Sequence, residues 1–211
     1  VAIGFEALKG NSSNTTTGIN GTVAIGDSAL LALTSGAPNI AIGNQAGKAI
    51  TTGGGNIAIG VNSMLTLTDG GRNVAIGAYA MAMNQGTTAD SSVDNVFIGY
   101  NSGGGSWTAA VSDRNTAVGK GSMDANLAGA LDNAAFGYNA LGALTSGDYN
   151  VAVGSNAGDA ITTGYAQVAI GWNALSTEDA GLGSVAVGYQ ALQNQNVDGD
   201  SGNVAVGSNA G

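Results

Sequence analysis

A tetrapeptide of the form Val-Ala-Ile-Gly recurs twelve times along the 211 residues, ending at Gly4, Gly26, Gly43, Gly60, Gly77, Gly99, Gly119, Gly137, Gly154, Gly171, Gly188 and Gly207. The intervals between those glycines are 22, 17, 17, 17, 22, 20, 18, 17, 17, 17 and 19 residues, so the base unit is 17 residues with insertions in some copies. Repetition at a fixed short period requires a stacked fold, because one unit cannot bury its apolar face alone and must use its neighbours. The chain therefore reads as one repeat array over residues 1–211. The expected fold class is all-β: a parallel β-solenoid of the left-handed β-roll type with 12 coils.

Within a unit, with the motif glycine as position 0, position −3 is β-branched and position −1 is Ile or Val in eleven of twelve copies. Position −2 between them is Ala in eleven, with Phe97 the exception. This period-two pattern is that of a short strand. The larger pair is expected to fill each coil, leaving the uniform Ala facing a second close surface. Position −4 is Asn in eight of the eleven copies that have one, Asn39 to Asn203. Stacked amides form ladders, whereas Asn is also a common turn residue, and both readings stand. After the glycine, position +3 is always Ala or Ser, position +4 is Leu, Met or Gly, and position +7 is often Leu or Ile. A helix about 10 Å wide does not fit a coil rising about 4.8 Å. A bent second strand or a short 3₁₀ turn is expected there instead.

Glycine stands at +4 in every third unit, at Gly47, Gly103, Gly158 and Gly211. Descent from a duplicated three-unit block explains this, and so does a structural turn completed every three units. The insertions, within 9–22, 83–95, 103–115, 123–133 and 193–203, are rich in Gly, Ser, Asn, Asp and Thr. Such composition predicts loops that bulge from the stack without entering its core, where a partner would first be met.

Fourteen acidic residues against five basic ones give a net charge of −9, which disfavours nucleic-acid partners. No apolar run approaches the roughly 20 residues of a membrane span, so membrane insertion is not expected. The chain opens inside a motif at Val1 and closes partway through a unit at Gly211, and we read it as a piece of a longer protein.

Histidine and cysteine are absent, which removes imidazole, thiolate and the usual zinc chemistry. Polysaccharide cleavage would need paired carboxylates facing one cleft, whereas Asp27, Asp69, Asp113, Asp148 and Asp159 fall singly in turns. Glu178-Asp179 is adjacent but expected to diverge. Residues 198–203 (Asp-Gly-Asp-Ser-Gly-Asn) resemble the start of a calcium loop without its closing Glu. No enzyme activity, cofactor or metal is expected. Aromatic residues at +1 (Phe5, Tyr100, Tyr138, Trp172 and Tyr189), with Trp107 in an insertion, are the candidate ligand contacts. Tyr100, Trp107, Trp172 and Tyr189 would form a sugar-stacking surface, or such aromatics would pack between chains.

The repeats NIAIG (39–43), NVAIG (73–77) and NVAVG (150–154 and 203–207) resemble the head repeats of trimeric autotransporter adhesins. Longer runs such as residues 137–158 look still more like phage tail-fibre units. The resemblance covers nearly the whole chain, although the adhesin unit is shorter. It implies a left-handed β-roll, a homotrimer, and an extracellular fibre contacting a cell-surface glycan or protein receptor. The tail fibre is the leading expectation and a bacterial adhesin head the alternative. An ice-binding solenoid is a lesser alternative, suggested by Thr34, Thr51, Thr52, Thr68, Thr145, Thr162 and Thr163.

Overall fold

The computed structural model describes residues 1–10, 18–82, 91–107, 110–197, 199–200 and 202–211. Its motif tetrapeptides form β1 (Ala2–Ile3), β2 (Val23–Ile25), β3 (Ile40–Ile42), β4 (Ile57–Ile59), β5 (Val74–Ile76), β6 (Val96–Ile98), β7 (Thr116–Val118), β8 (Ala134–Phe136), β9 (Val151–Val153), β10 (Val168–Ile170), β12 (Val185–Val187) and β14 (Val204–Val206). Two further strands, β11 (Gly181–Leu182) and β13 (Gly199–Asp200), pair with each other beside the stack. The twelve motif strands make one sheet in sequence order. Each pair is parallel and in register, so that Ala24 lies over Ala41, Ala41 over Ala58 and Ala58 over Ala75. The chain is a parallel β-solenoid, and we number its coils 1 to 12 by their motif glycines.

The facing of the strand residues is the reverse of the sequence expectation. From coil 2 onward the central Ala is buried, as is Phe97 in its place, while the flanking Val and Ile are half-buried or exposed. The interior explains this. It is filled from the opposite wall by the +4 residues Leu30, Met64, Met81, Met123, Leu141 and Leu175 and by Leu33, Ile50, Leu67, Leu144 and Ile161 at +7, all buried. Those side chains leave room for little more than a methyl group where they meet the strand.

Over positions +1 to +5, the described residues after each motif glycine form neither a helix nor a second strand. The segment is a run of turns in which positions +2 and +4 take left-handed backbone conformations, as at Leu30 (φ 48), Met64 (φ 48), Tyr79 (φ 60) and Asn139 (φ 53). Such angles cost an ordinary side chain roughly 1 kcal/mol or more. They persist because they aim alternate N–H groups at the adjoining coils. Ser28 N donates to Phe5 O (2.8 Å), and Leu30 N donates to Ala46 O (3.0 Å). The motif glycine itself is required by stacking. At Gly60 (φ 130) a Cβ would sit 2.5 Å from the carbonyl oxygen of Gly77 in the next coil.

The buried asparagines form the ladder. The side-chain Oδ1 of each one accepts the backbone N–H of its successor, from Asn39 to Asn56 (2.9 Å) through Asn133 to Asn150 (2.9 Å). Each Nδ2 is spent on a buried carbonyl of the next coil, as from Asn56 to Gly70 O (2.8 Å) and from Asn115 to Ala130 O (2.8 Å). A buried backbone N–H thereby gains a partner that the strand ladder does not supply. At coils 10 and 11 Gln167 and Ser184 take this place, and Glu178 and Gln195 complete the network. Glu178 is buried and accepts from Gly181 N (2.8 Å) and Gln195 Nε2 (2.7 Å).

Two of the insertions also supply core residues, which bulging loops alone would not. Trp107 and Leu127, each eight residues after a motif glycine, are fully buried where shorter coils place their +7 residue. Residues 11–17 and 83–90 of the remaining insertions lie outside the described residues.

Candidate functional site

Three exposed features run lengthwise along the sheet. The first is the strand face itself, two columns formed by positions −3 and −1. Of its 24 residues only Thr116, Ala134 and Phe136 are not Val or Ile, and none is charged. Twelve strands at about 4.8 Å give a column about 55 Å long. Two such columns make an apolar patch on the order of 500 Å², as large as soluble monomers commonly expose.

The second is the +1 column at one margin of that face. Phe5, Val61, Tyr100, Tyr138, Trp172 and Tyr189 are exposed there, interleaved with Asp27, Asn44, Lys120, Ser155 and Ser208. Trp172 and Tyr189 stack, with ring centres 5.0 Å apart and planes inclined by 18°. Tyr79, at +2, meets Tyr100 edge-on at 5.9 Å. The Lys120 ammonium lies 5.9 Å from the ring centres of both Tyr100 and Tyr138, within reach of a cation–π attraction.

The third is the −5 column at the other margin, which carries alternating charge. Arg72 donates both Nε and an Nη to the Asp94 carboxylate (2.6 and 2.8 Å), and Arg114 does the same to Asp132 (2.7 and 2.9 Å). Hydrogen bonds from their arginines hold the Asp94 and Asp132 carboxyls below the usual carboxylate range. Tyr149 and Tyr165 continue this margin, edge-to-face at 5.3 Å.

Tyr100, Trp172 and Tyr189 thus share one solvent-facing column, as the sequence suggests. Trp107 does not join them. It is fully buried, edge-on to Phe97 at 5.4 Å, with its indole N–H donated to Gly103 O (3.1 Å), so it contacts no external ligand. The signal that distinguishes it is the coupled departure of Phe97 from Ala and of Gly103 from Leu or Met in the same coil. Lys120 is the member of the column that an aromatic pattern misses.

Glu178 and Asp179 diverge. Glu178 turns inward to backbone N–H groups, and Asp179 outward to the Thr162 hydroxyl. Among the described residues no three or more His, Cys, Asp or Glu side chains group as a metal site. Asp198 and Ser201 of the calcium-loop-like run, and the Asp200 side chain, lie outside the described residues. The Thr34 and Thr145 hydroxyls donate to carbonyls of the next coil (both 3.0 Å). No known family, curated protein or solved structure matches this chain.

Proposed function

We propose that this chain is a segment of a homotrimeric extracellular fibre, most directly a phage tail fibre, with a mechanical and adhesive role and not a catalytic one. The single observation that carries the reading is the strand face. A monomer gains nothing from keeping 24 outward positions free of charge along the whole rod. A self-complementary neighbour does gain, because half-exposed Val and Ile become buried at roughly 25 cal/mol per Å². With the −5 margin the face approaches the roughly 800 Å² per partner of a standard stable interface. The resemblance to trimeric fibre repeats supplies the number three. In-register stacking and side-chain ladders would give such a rod stiffness, and several weak contacts along it would act together at a surface.

Sedimentation equilibrium at micromolar concentration tests this, with an expected mass of three times the 20.3 kDa chain. The pair Ile76→Glu and Ile98→Glu, on the outward face of adjacent strands, is expected to yield folded monomers. A wild-type mass of one chain would reject the reading.

A further inference from the structure

We propose that the +1 column binds an extended glycan bearing carboxylates, with Tyr100, Tyr138 and Trp172 as ring platforms and Lys120 as the partner of a carboxylate. This deepens the fibre reading by naming what its flank takes, although every group invoked lies on one chain. Three observations carry it.

The first is the composition of the column. The −3 and −1 columns exclude charge in all twelve coils, as a surface buried in an assembly would. The +1 column mixes exposed aromatics with Asp27, Asn44, Lys120, Ser155 and Ser208. That mixture marks a margin which stays wet. Tyr100, Tyr138, Trp172 and Tyr189 remain 54, 54, 42 and 51% exposed, with one face of Trp172 stacked on Tyr189 and polar residues interleaved along the column.

Spacing is the second. Tyr100, Tyr138 and Trp172 stand on coils 6, 8 and 10, separated by Lys120 and Ser155 on coils 7 and 9. Platforms therefore recur about every 10 Å. A pyranose linked through opposite ring positions advances about as far as one coil, so alternate sugars of an extended chain meet alternate platforms. Between Tyr138 and Trp172 the column carries only the small Ser155.

Charge is the third. Lys120 makes no ion pair among the described residues. The Asp94 and Asp132 carboxylates on the opposite margin are held two-handed by Arg72 and Arg114 respectively and are not free to pair with it. An unpaired ammonium framed by two exposed tyrosines, on a chain of net charge −9, is a selective point for one anionic group. It is not a general attraction for polyanions.

Calorimetric titration with tetragalacturonate, and with cellotetraose as the neutral probe, tests the proposal, with sedimentation mass recorded for every variant. Tetragalacturonate is expected to bind the wild-type protein. Trp172→Ala and Tyr138→Ala are each expected to weaken it about tenfold through lost ring contact, and Trp172→Phe to retain most of it. Lys120→Gln is expected to weaken tetragalacturonate about tenfold while leaving cellotetraose unchanged. Absence of tetragalacturonate binding by the wild type overturns the proposal, as does binding by Lys120→Gln and Trp172→Ala as tight as that of the wild type. Loss of assembly in Trp172→Ala places the column between chains and also overturns it. A single-chain mass with binding intact would reject the trimer and still support this site.

Discussion

Coils 3 and 9 differ instructively from coil 6, although all three carry glycine at +4. In coils 3 and 9 the missing side chain is replaced by two neighbours. A Cβ on Gly47 would lie 2.9 Å from Leu30 Cδ2 and 3.0 Å from Ile50 Cδ1. A Cβ on Gly158 would lie 2.8 Å from Ile161 Cδ1 and 3.1 Å from Leu141 Cδ2. In coil 6 the space is taken from the strand instead, by Phe97, whose Cδ1 would be 2.5 Å from a Cβ on Gly103. Trp107 packs against that ring from the insertion. The interior of each coil is thus a fixed volume that the chain fills by different routes. Interiors packed to crystal-like density allow little else.

The comparison can be broken most severely at Phe97. Phe97→Ala restores the usual strand residue while leaving Gly103 empty, and is expected to cost about 3–5 kcal/mol in chemical denaturation. Adding Gly103→Met recreates the Ala and Met pairing of coils 5 and 7, and should recover much of that loss. Gly103→Met alone should destabilise by overlap with the ring, so a double-mutant cycle will show strong coupling. Additive effects would contradict a shared volume.

A second test asks whether the difference lies in the core alone. The ladder runs unchanged through both regions, so Asn39→Ala and Asn95→Ala should each cost about 2–3 kcal/mol, by orphaning a buried N–H and a carbonyl. A large disparity between the two would mean that coil 6 also strains its ladder. Gly158→Leu follows in size, at about 1–3 kcal/mol for overpacking against Ile161 and Leu141.

The smallest effect concerns two half-buried acids that follow position +4, Asp124 in coil 7 and Asp159 in coil 9. Burial raises the pKa of both, opposed by hydrogen bonds that include one from Asn101 to Asp124 (3.2 Å) and one from Asn139 to Asp159. A carboxyl whose folded pKa lies above its unfolded value loses stability as pH rises between the two. Asp124→Asn and Asp159→Asn should therefore raise the melting temperature slightly at pH 7 and leave it unchanged near pH 3. Equal shifts at both pH values would remove burial as the cause.

Much of the architecture is legible in the chain. Strand positions and parallel register follow from twelve in-phase copies, whereas the recurrent Asn39 to Asn150 fit a ladder and a turn equally, and only the observed stacking decides between them. Which way the strand faces does not follow either, because a size rule puts Val and Ile inside. The correct clue is that Leu and Met at +4 with Leu and Ile at +7 already fill a narrow core. The left-handed angles at Leu30 or Tyr79 are illegible locally, since neither residue favours them and contacts between coils impose them. Of the candidate contacts, the +1 aromatics were readable from spacing. The burial of Trp107 and the approach of the Lys120 ammonium to two tyrosine rings depend on packing between coils, which spacing alone does not give.

Each asparagine clasp joins a coil only to its successor. A pull along the rod is therefore borne in series, like tension in a chain of equal links, and rupture begins at an interval fastened differently. Two intervals are so fastened, Thr22 to Asn39 and Ser184 to Asn203, where a hydroxyl replaces the amide and the bond from the next N–H lengthens to 3.3 Å. Under force the rod should part first at one of these hydroxyl rungs, leaving the seven-asparagine stretch from Asn39 to Asn150 intact.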